Sequence, residues 1–421
     1  MKSLQVIIAL LFAISSGSVA QDAISITGKI IDEKNGAPLS YAAISLKGTG
    51  MGTVSNGDGE FEFHLNTQHA KDTLLVSMLG YNSYLKSLAE IKEYKNLRIR
   101  LVVKPTILNE VVIVAKKIVP EEIVRKALKN IAENYPTQPN MLRGFYRETH
   151  QENNRNVILV EAALDIYDNG YKNKLSGKVK LINSRSSKNY RNNLFVNTRV
   201  EKWNLVASVL NNDPIKYRDR RISTGKKFAL DSTLYYNDRL IYVISFLNYI
   251  PRFPNFERRN TLFIDAENYS ILKYESEEYA KKGKYSEIPW RLSTESFYFS
   301  KRKRISSTYE FGEYKGKMFL KYFDEKAYDD IYNSKGDSVE FEALGHVTMV
   351  VTEIETENVK MEGNETMRLD ESISVQVGDY SPEFWSDKKK IALVPLTRKQ
   401  ITELEWEIPL EDQFKKSSPR K

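Results

Sequence analysis

The stretch Ile26–Phe63 constrains this chain more than any other. Apolar residues alternate through Ile44 and Leu46 and again through Phe61 and Phe63, the period of half-buried strands. Asn35-Gly36 precedes the first pair and Asn56-Gly57-Asp58-Gly59 separates the two, residues that tolerate the positive φ of tight strand connections. No helix of useful length fits between turns so closely spaced. Thr73–Met78 adds a buried strand and Leu97–Val103 a cleanly alternating one. The expectation is a β-sandwich over residues 24–103.

Five segments in this stretch form a recognisable series: Gly28–Asp32, Gly36–Ile44, Thr53–Phe61, Gly80-Tyr81 and Leu97–Leu101. The series resembles the carboxypeptidase-regulatory-like (transthyretin-like) β-sandwich that opens many outer-membrane and secreted proteins of Bacteroidota. The resemblance implies a building block for protein contact and no active site. Asn56, Asp58 and Glu60 alternate like calcium ligands, but the acidic residue that would complete such a loop is missing. They read as turn chemistry. Leu108–Val114 resembles the strand that follows this sandwich in outer-membrane receptors, which makes residues 104–119 a strand linker. The remaining chain is too short for a receptor barrel.

The N-terminus bears on compartment. Lys2, the apolar run Val6–Ile14 and Ser18-Val19-Ala20 read as a secretory signal peptide over residues 1–20. No later stretch is long and apolar enough for a transmembrane helix. The chain has no cysteine, which excludes disulfides, thiolate metal sites and a lipidated terminus. The expectation is export to the periplasm or the outer membrane. The net charge is +8, and Lys180, Arg185, Lys188, Arg191, Arg199 and Lys202 supply a basic stripe. Export argues against nucleic acid. An outer-membrane protein or an amphipathic or anionic envelope ligand suits the stripe, and so does a plain solvated surface.

Beyond the linker, residues 120–135 read as a helix. Pro120 suits its first turn, Glu121 and Glu122 complement its amino-terminal dipole, and Val124, Leu128, Ile131 and Tyr135 form one apolar stripe. From 143 to 357 strand follows strand, starting at Val157–Tyr167 and ending at His346–Ile354, with Trp203–Asn211 as a short helix. The 25 Tyr and 18 Phe agree with this, since aromatics favour pleated surfaces. The fold class is therefore mainly β: a sandwich, a linker helix, then a large antiparallel sheet curved into a half-barrel, with a C-terminal helix. The hairpin Asn260–Asp265 and Tyr269–Lys273 resembles one found in regulatory-like proteins and, more distantly, in lipoprotein-carrier (LolA-like) half-barrels. Residues 380–421 read as a docking segment and basic tail. Phe384 and Trp385 meet the sheet, and Thr397 and Gln400 form a capping box.

The chemistry is sparse. His64, His69, His150 and His346 lack metal-pair spacing, and no G-x-S-x-G elbow is present. The glycines of Gly48–Gly52 lack the Lys-Ser/Thr of a phosphate loop. Glu277-Glu278 and Asp329-Asp330 are adjacent carboxylates, which point to opposite faces of a strand. No catalytic residue, cofactor or metal is assigned. Tyr242, Phe246, Phe263, Phe297 and Phe299 are the candidate ligand-binding residues, as the aromatic lining of a concave sheet face. The functional expectation is a non-catalytic envelope protein that binds a partner or amphipathic ligand. The alternative is a hydrolase or carbohydrate-active protein, which carboxylates of shifted pKa facing one cleft would favour.

Overall fold

The computed structural model describes residues 23–104 and 118–417 apart from 173–176, 188–205, 207–208, 211, 219–221, 223–226, 250–254, 282–285, 292–296, 333–337, 364–365, 374–375, 377–379 and 388–392. The signal peptide, the Leu108–Val114 strand, Trp203, and the basic residues Lys188, Arg191, Arg199 and Lys202 lie outside the described residues.

Seven strands form the first unit: β1 (Ala23–Asp32), β2 (Ala43–Leu46), β3 (Gly52–Val54), β4 (Glu60–Asn66), β5 (Thr73–Ser77), β6 (Tyr84–Ser87) and β7 (Leu97–Leu101). They make two sheets, ordered β4-β1-β7 and β3-β2-β5-β6. The alternation read from sequence faces inward, and Ile26, Ile30, Ile44, Leu46, Phe61, Phe63, Leu74 and Val76 are all buried between the sheets. The turn into β4 works as its sequence requires. The Asn56 side chain accepts from the Asp58 and Glu60 amides, and Gly59 takes φ +76°. A Cβ there would lie 2.5 Å from the Ile30 carbonyl oxygen, so only glycine fits.

The linker helix is broken. Helix α1 (Pro120–Lys129) ends at Asn130, and the single turn α2 (Ile131–Asn134) follows. Tyr135 is already extended, as the residue before Pro136 must be. Its ring is fully buried and its hydroxyl donates to the Ile271 carbonyl at 2.6 Å.

The second unit contains β8 (Asn140–Glu152), β9 (Arg155–Asp168), β10 (Lys178–Ser186), β11 (Phe228–Tyr236), β12 (Arg239–Tyr249), β13 (Phe256–Asp265), β14 (Ile271–Ala280), β15 (Ser286–Arg291), β16 (Phe297–Tyr314), β17 (Lys317–Tyr332) and β18 (Val339–Glu355). They form an 11-stranded antiparallel sheet, ordered β10-β9-β8-β18-β17-β16-β14-β13-β12-β11, with β15 added at one end of β16. Strands β8, β11 and β15 are not apparent in the sequence, and β16, β17 and β18 run longer than their apolar cores suggest. The described strands leave β10 and β11 as open edges, as a half-barrel would. The inner face carries one apolar cluster that reaches from Val179 on β10 to Phe228 on β11. Helices α1 and α2 cover it, together with Val206, Val209, Leu210, Ile215 and Ile222 from the connection between those edge strands.

The outer face is covered as well. Three short C-terminal helices, α3 (Pro382–Ser386), α4 (Arg398–Leu404) and α5 (Leu410–Ser417), lie over β8, β9 and β10. The Thr397–Gln400 capping box is present at α4. The sandwich occupies the rest, with Val54 packed among Phe145, Tyr322 and Val350. Further contacts join Ser77 to Tyr236, Ser83 to Asn237 and Lys104 to Asp238 at the β11–β12 turn. The chain is mainly β, with the sandwich first, the large sheet second and helices at the end.

Candidate functional site

The outer face carries a row of polar side chains where a covered sheet would ordinarily be apolar. Strand register lines up Thr261, Glu275, Thr308, Asp324, Thr348, Arg147, Glu161 and Arg185 across β13, β14, β16, β17, β18, β8, β9 and β10. Successive residues of a strand face opposite ways, so one register sets the whole row on one side.

One half of the row is sealed. Glu161 is fully buried and accepts from Arg147 Nε and Arg185 Nε, both at 2.7 Å. Burial would raise its pKa, but the two guanidiniums overcome that and hold it below the usual carboxylate range. Arg147 donates onward to the carbonyls of Val394 and Pro395. The Arg185 guanidinium lies 4.2 Å from the Trp385 ring and 4.7 Å from the Phe414 ring. Trp385 Nε1 donates to Asn183 Oδ1 at 2.8 Å. Every charge here has a partner, and the C-terminal segment is the lid.

The other half lines a cleft of about 450 Å³ beneath the sandwich, between Ser40, Tyr41, Met78 and Leu79 above and strands β13, β14, β16 and β17 below. Asp324 Oδ1 accepts from the Tyr322 hydroxyl at 2.9 Å and lies 2.6 Å from His346 Nε2. Burial opposes its charge, yet His346, Lys326 and Tyr322 together keep its pKa low. Glu275 pairs with Lys273 and Glu277 with Arg304, each at 2.6 Å. Glu310 goes the other way: burial raises its pKa, Lys273 offsets part of that, and Glu275 adds to it. Tyr41 stacks on Tyr322 with centroids 5.0 Å apart. Its backbone sits at φ +62°, a strained choice for a bulky residue and one that clusters at binding sites.

A second pocket of about 180 Å³ adjoins this cleft, and Glu310 and Tyr322 line both. Apolar side chains line it from both sides, Val54 and Leu75 from the sandwich and Tyr322 and Val350 from the sheet, together with the charged Lys47, Arg239, Lys321, Glu310 and Glu313. Among the described residues no group of three or more His, Asp or Glu side chains could hold a metal ion.

The sequence-derived candidates fall elsewhere. Phe246 is buried in the inner-face core, its ring 5.1 Å from Phe228, and Tyr242 is half-buried against the same core. Phe263 stands opposite Lys273 in register, with its ring 5.3 Å from that ammonium. None of the three lines either pocket. Phe297 and Phe299 lie on β16, but their side chains fall outside the described residues. Sequence reasoning missed Tyr41, Glu310, Tyr322, Asp324 and His346. The one available signal was the alternation of Thr308 with Glu310 and of Tyr322, Asp324 and Lys326, polar residues at period two where the strand should be buried.

Residues 26–113, a stretch that takes in most of the N-terminal unit, match the CarboxypepD_reg-like domain family. No curated protein matches the chain. Solved structures similar to it include a LolA superfamily protein from Nitrosomonas europaea, 10% identical, covering 60% of this chain and 99% of that one at TM-score 0.28. A putative outer membrane lipoprotein-sorting protein domain from Vibrio parahaemolyticus is 9% identical and covers 59% and 97% at TM-score 0.27. A putative membrane-associated protein of unknown function from Bacteroides fragilis is 10% identical and covers 79% and 98% at TM-score 0.16. Scores this low carry no argument about function. Among the described residues no helix is long and apolar enough to cross a membrane.

Proposed function

We propose that this is a non-catalytic, exported envelope protein that binds an amphipathic ligand between its sandwich and its sheet. The observation that carries this reading is the pairing of two unlike chambers at Glu310 and Tyr322. Both carry charges of both signs, but the first exposes more polar than apolar surface and the second more apolar than polar. A ligand with a polar head and a short apolar part suits the pair. The signal-like N-terminus supports export to the periplasm or outer membrane.

The experiment is native purification of the mature chain, from Gln21, followed by extraction and mass spectrometry of bound small molecules. The comparison variant is Ser45→Trp. Ser45 lines the inner pocket from an outward-facing position of β2, so the indole fills the pocket and leaves the sandwich core intact. An amphiphile present in the wild type and absent from the variant is the expected result. An empty wild type that also fails to take up added amphiphiles overturns the reading.

One observation favours hydrolysis as a second reading: Glu310 and Asp324, with pKa values pushed in opposite directions, line one cleft, the pattern of an acid paired with a base. Turnover of chromogenic glycosides or esters that vanishes in Glu310→Gln would replace binding with catalysis.

A further inference from the structure

Lys321 is the extra residue of a bulge. Glu310 pairs with Tyr322 and Phe311 with Leu320, which leaves Lys321 unmatched on β17. Bulges re-aim a side chain out of the regular alternation. Here the lysine stem turns across Gly312 toward the second pocket, between sandwich and sheet, which it helps to line. A Cβ on Gly312 would lie 2.7 Å from Lys321 Cγ and 3.0 Å from Cε. Among the described residues no hydrogen bond or ion pair reaches this ammonium, whereas Lys273, Arg304 and Lys326 around the cleft each pair with a carboxylate. Arg239, which shares the pocket, is held by Asp265 and Glu313.

We infer that Lys321 accepts the carboxylate of an aliphatic acid whose chain occupies the inner pocket. This rests on the amphiphile-binding reading and adds the charge and position of the ligand's polar end. A largely desolvated cation without a counter-ion gains most from an anion that brings its own apolar body. A single point-like ammonium suits a carboxylate, whereas a phosphate dianion calls for several converging donors. The pocket holds roughly six waters' share of volume, enough for a short chain that continues toward the cleft. Desolvation lowers the Lys321 pKa to about 8, as expected of an amine waiting for its partner. The groups that share the pocket are accounted for. Burial favours protonated Glu310, the Tyr236 hydroxyl bonds Ser77, the Tyr322 hydroxyl bonds Asp324, and Lys47 is exposed at its turn.

The test is calorimetric titration of the full mature chain with octanoate, octanol and octyl phosphate at pH 7. Octanoate should bind about tenfold tighter than octanol, the value of one charged hydrogen bond. Lys321→Met should erase that preference and leave octanol unchanged. Gly312→Ala, whose methyl displaces the lysine stem, should weaken octanoate in the same sense and serves as the check if the first variant folds poorly. In the wild type the preference should shrink above pH 8, as the free amine loses its proton. Equal binding of octanoate and octanol in wild type and Lys321→Met overturns the role of Lys321 and leaves the amphiphile reading standing. Tighter binding of octyl phosphate than octanoate overturns the carboxylate assignment. Failure of all three probes overturns both the inference and the function on which it rests.

Discussion

One polar row crosses the outer face of the sheet, and its two halves have opposite fates. At Arg147, Glu161 and Arg185 the charges are paired, desolvated and roofed by Trp385, Val394, Pro395 and Phe414. At Glu275, Glu310 and Asp324 the same kind of row opens into a cleft, and one carboxyl has its pKa raised while another has its pKa lowered. The same strand pairing produced both. The difference lies in what sits on top: a segment that meets the arginines with carbonyl acceptors and aromatic rings, or a sandwich that arches over and leaves a space. Polar residues on a covered face therefore have two uses, to fasten a lid and to line a site, and the lid's geometry decides which.

The comparison can be broken by removing one member from each half. Glu161→Ala should have the largest effect, because it leaves two guanidiniums buried without a counter-charge. Loss of about 3–5 kcal/mol of stability is expected in urea unfolding. Trp385→Ala should cost about 3 kcal/mol by the same measurement, since it empties a large buried site over Arg185. In the open half, Asp324→Asn should cost about 1–2 kcal/mol through weakened bonds to Tyr322 and His346. A loss as large as that of Glu161→Ala would show that the cleft is a second structural clamp and no site.

The pH dependence sharpens the same contrast. Glu161 and Asp324 have folded pKa values below their unfolded ones, so the stability they supply is complete above the usual carboxylate range. It is lost as pH falls through their folded values. Glu310 has its pKa raised, so its ionisation opposes folding as pH climbs past the unfolded value. Glu310→Gln should therefore stabilise the protein at pH 7, on the order of 0.5 kcal/mol, with the gain fading in acid. At pH 7 the thermal melts of Glu310→Gln and Asp324→Asn should move in opposite directions relative to wild type, and both shifts should shrink at pH 4. This is the smallest of the effects and the most specific to the cleft.

How much of this was legible depended on how local the signal was. The sandwich could be read because its turns and alternation are written within neighbouring residues: Asn56 to Glu60 closes its own turn, and Phe61 and Phe63 face one core. Strand β8 could not, because it is polar on both sides. Arg147 and Thr149 belong to the outer row, while Glu148 and His150 bond each other on the inner face at 2.5 Å. The alternation rule needs one dry side and one wet side, and this sheet is covered on both. The cleft was less legible still. Tyr41, Glu310 and Asp324 meet only because β16 pairs with β17 and the sandwich folds back over them, and no spacing in the sequence encodes that. Aromatic content pointed to Phe246, and the structure has spent that ring on packing.

The roof over Arg147 also has a place in time. The arginine belongs to β8, the first strand of the large sheet, and the carbonyls it holds lie almost at the far end of the chain. As the chain emerges from its N-terminal side the sandwich can close first, but Arg147, Glu161 and Arg185 have no cover until Trp385, Val394, Pro395 and Phe414 follow. Contacts of such long sequence separation form late, since the loop they close must be ordered first. For that interval the sheet presents two arginines beside a vacant seat for an indole. The final step of folding is thus also the one that hides the surface most open to the wrong partner.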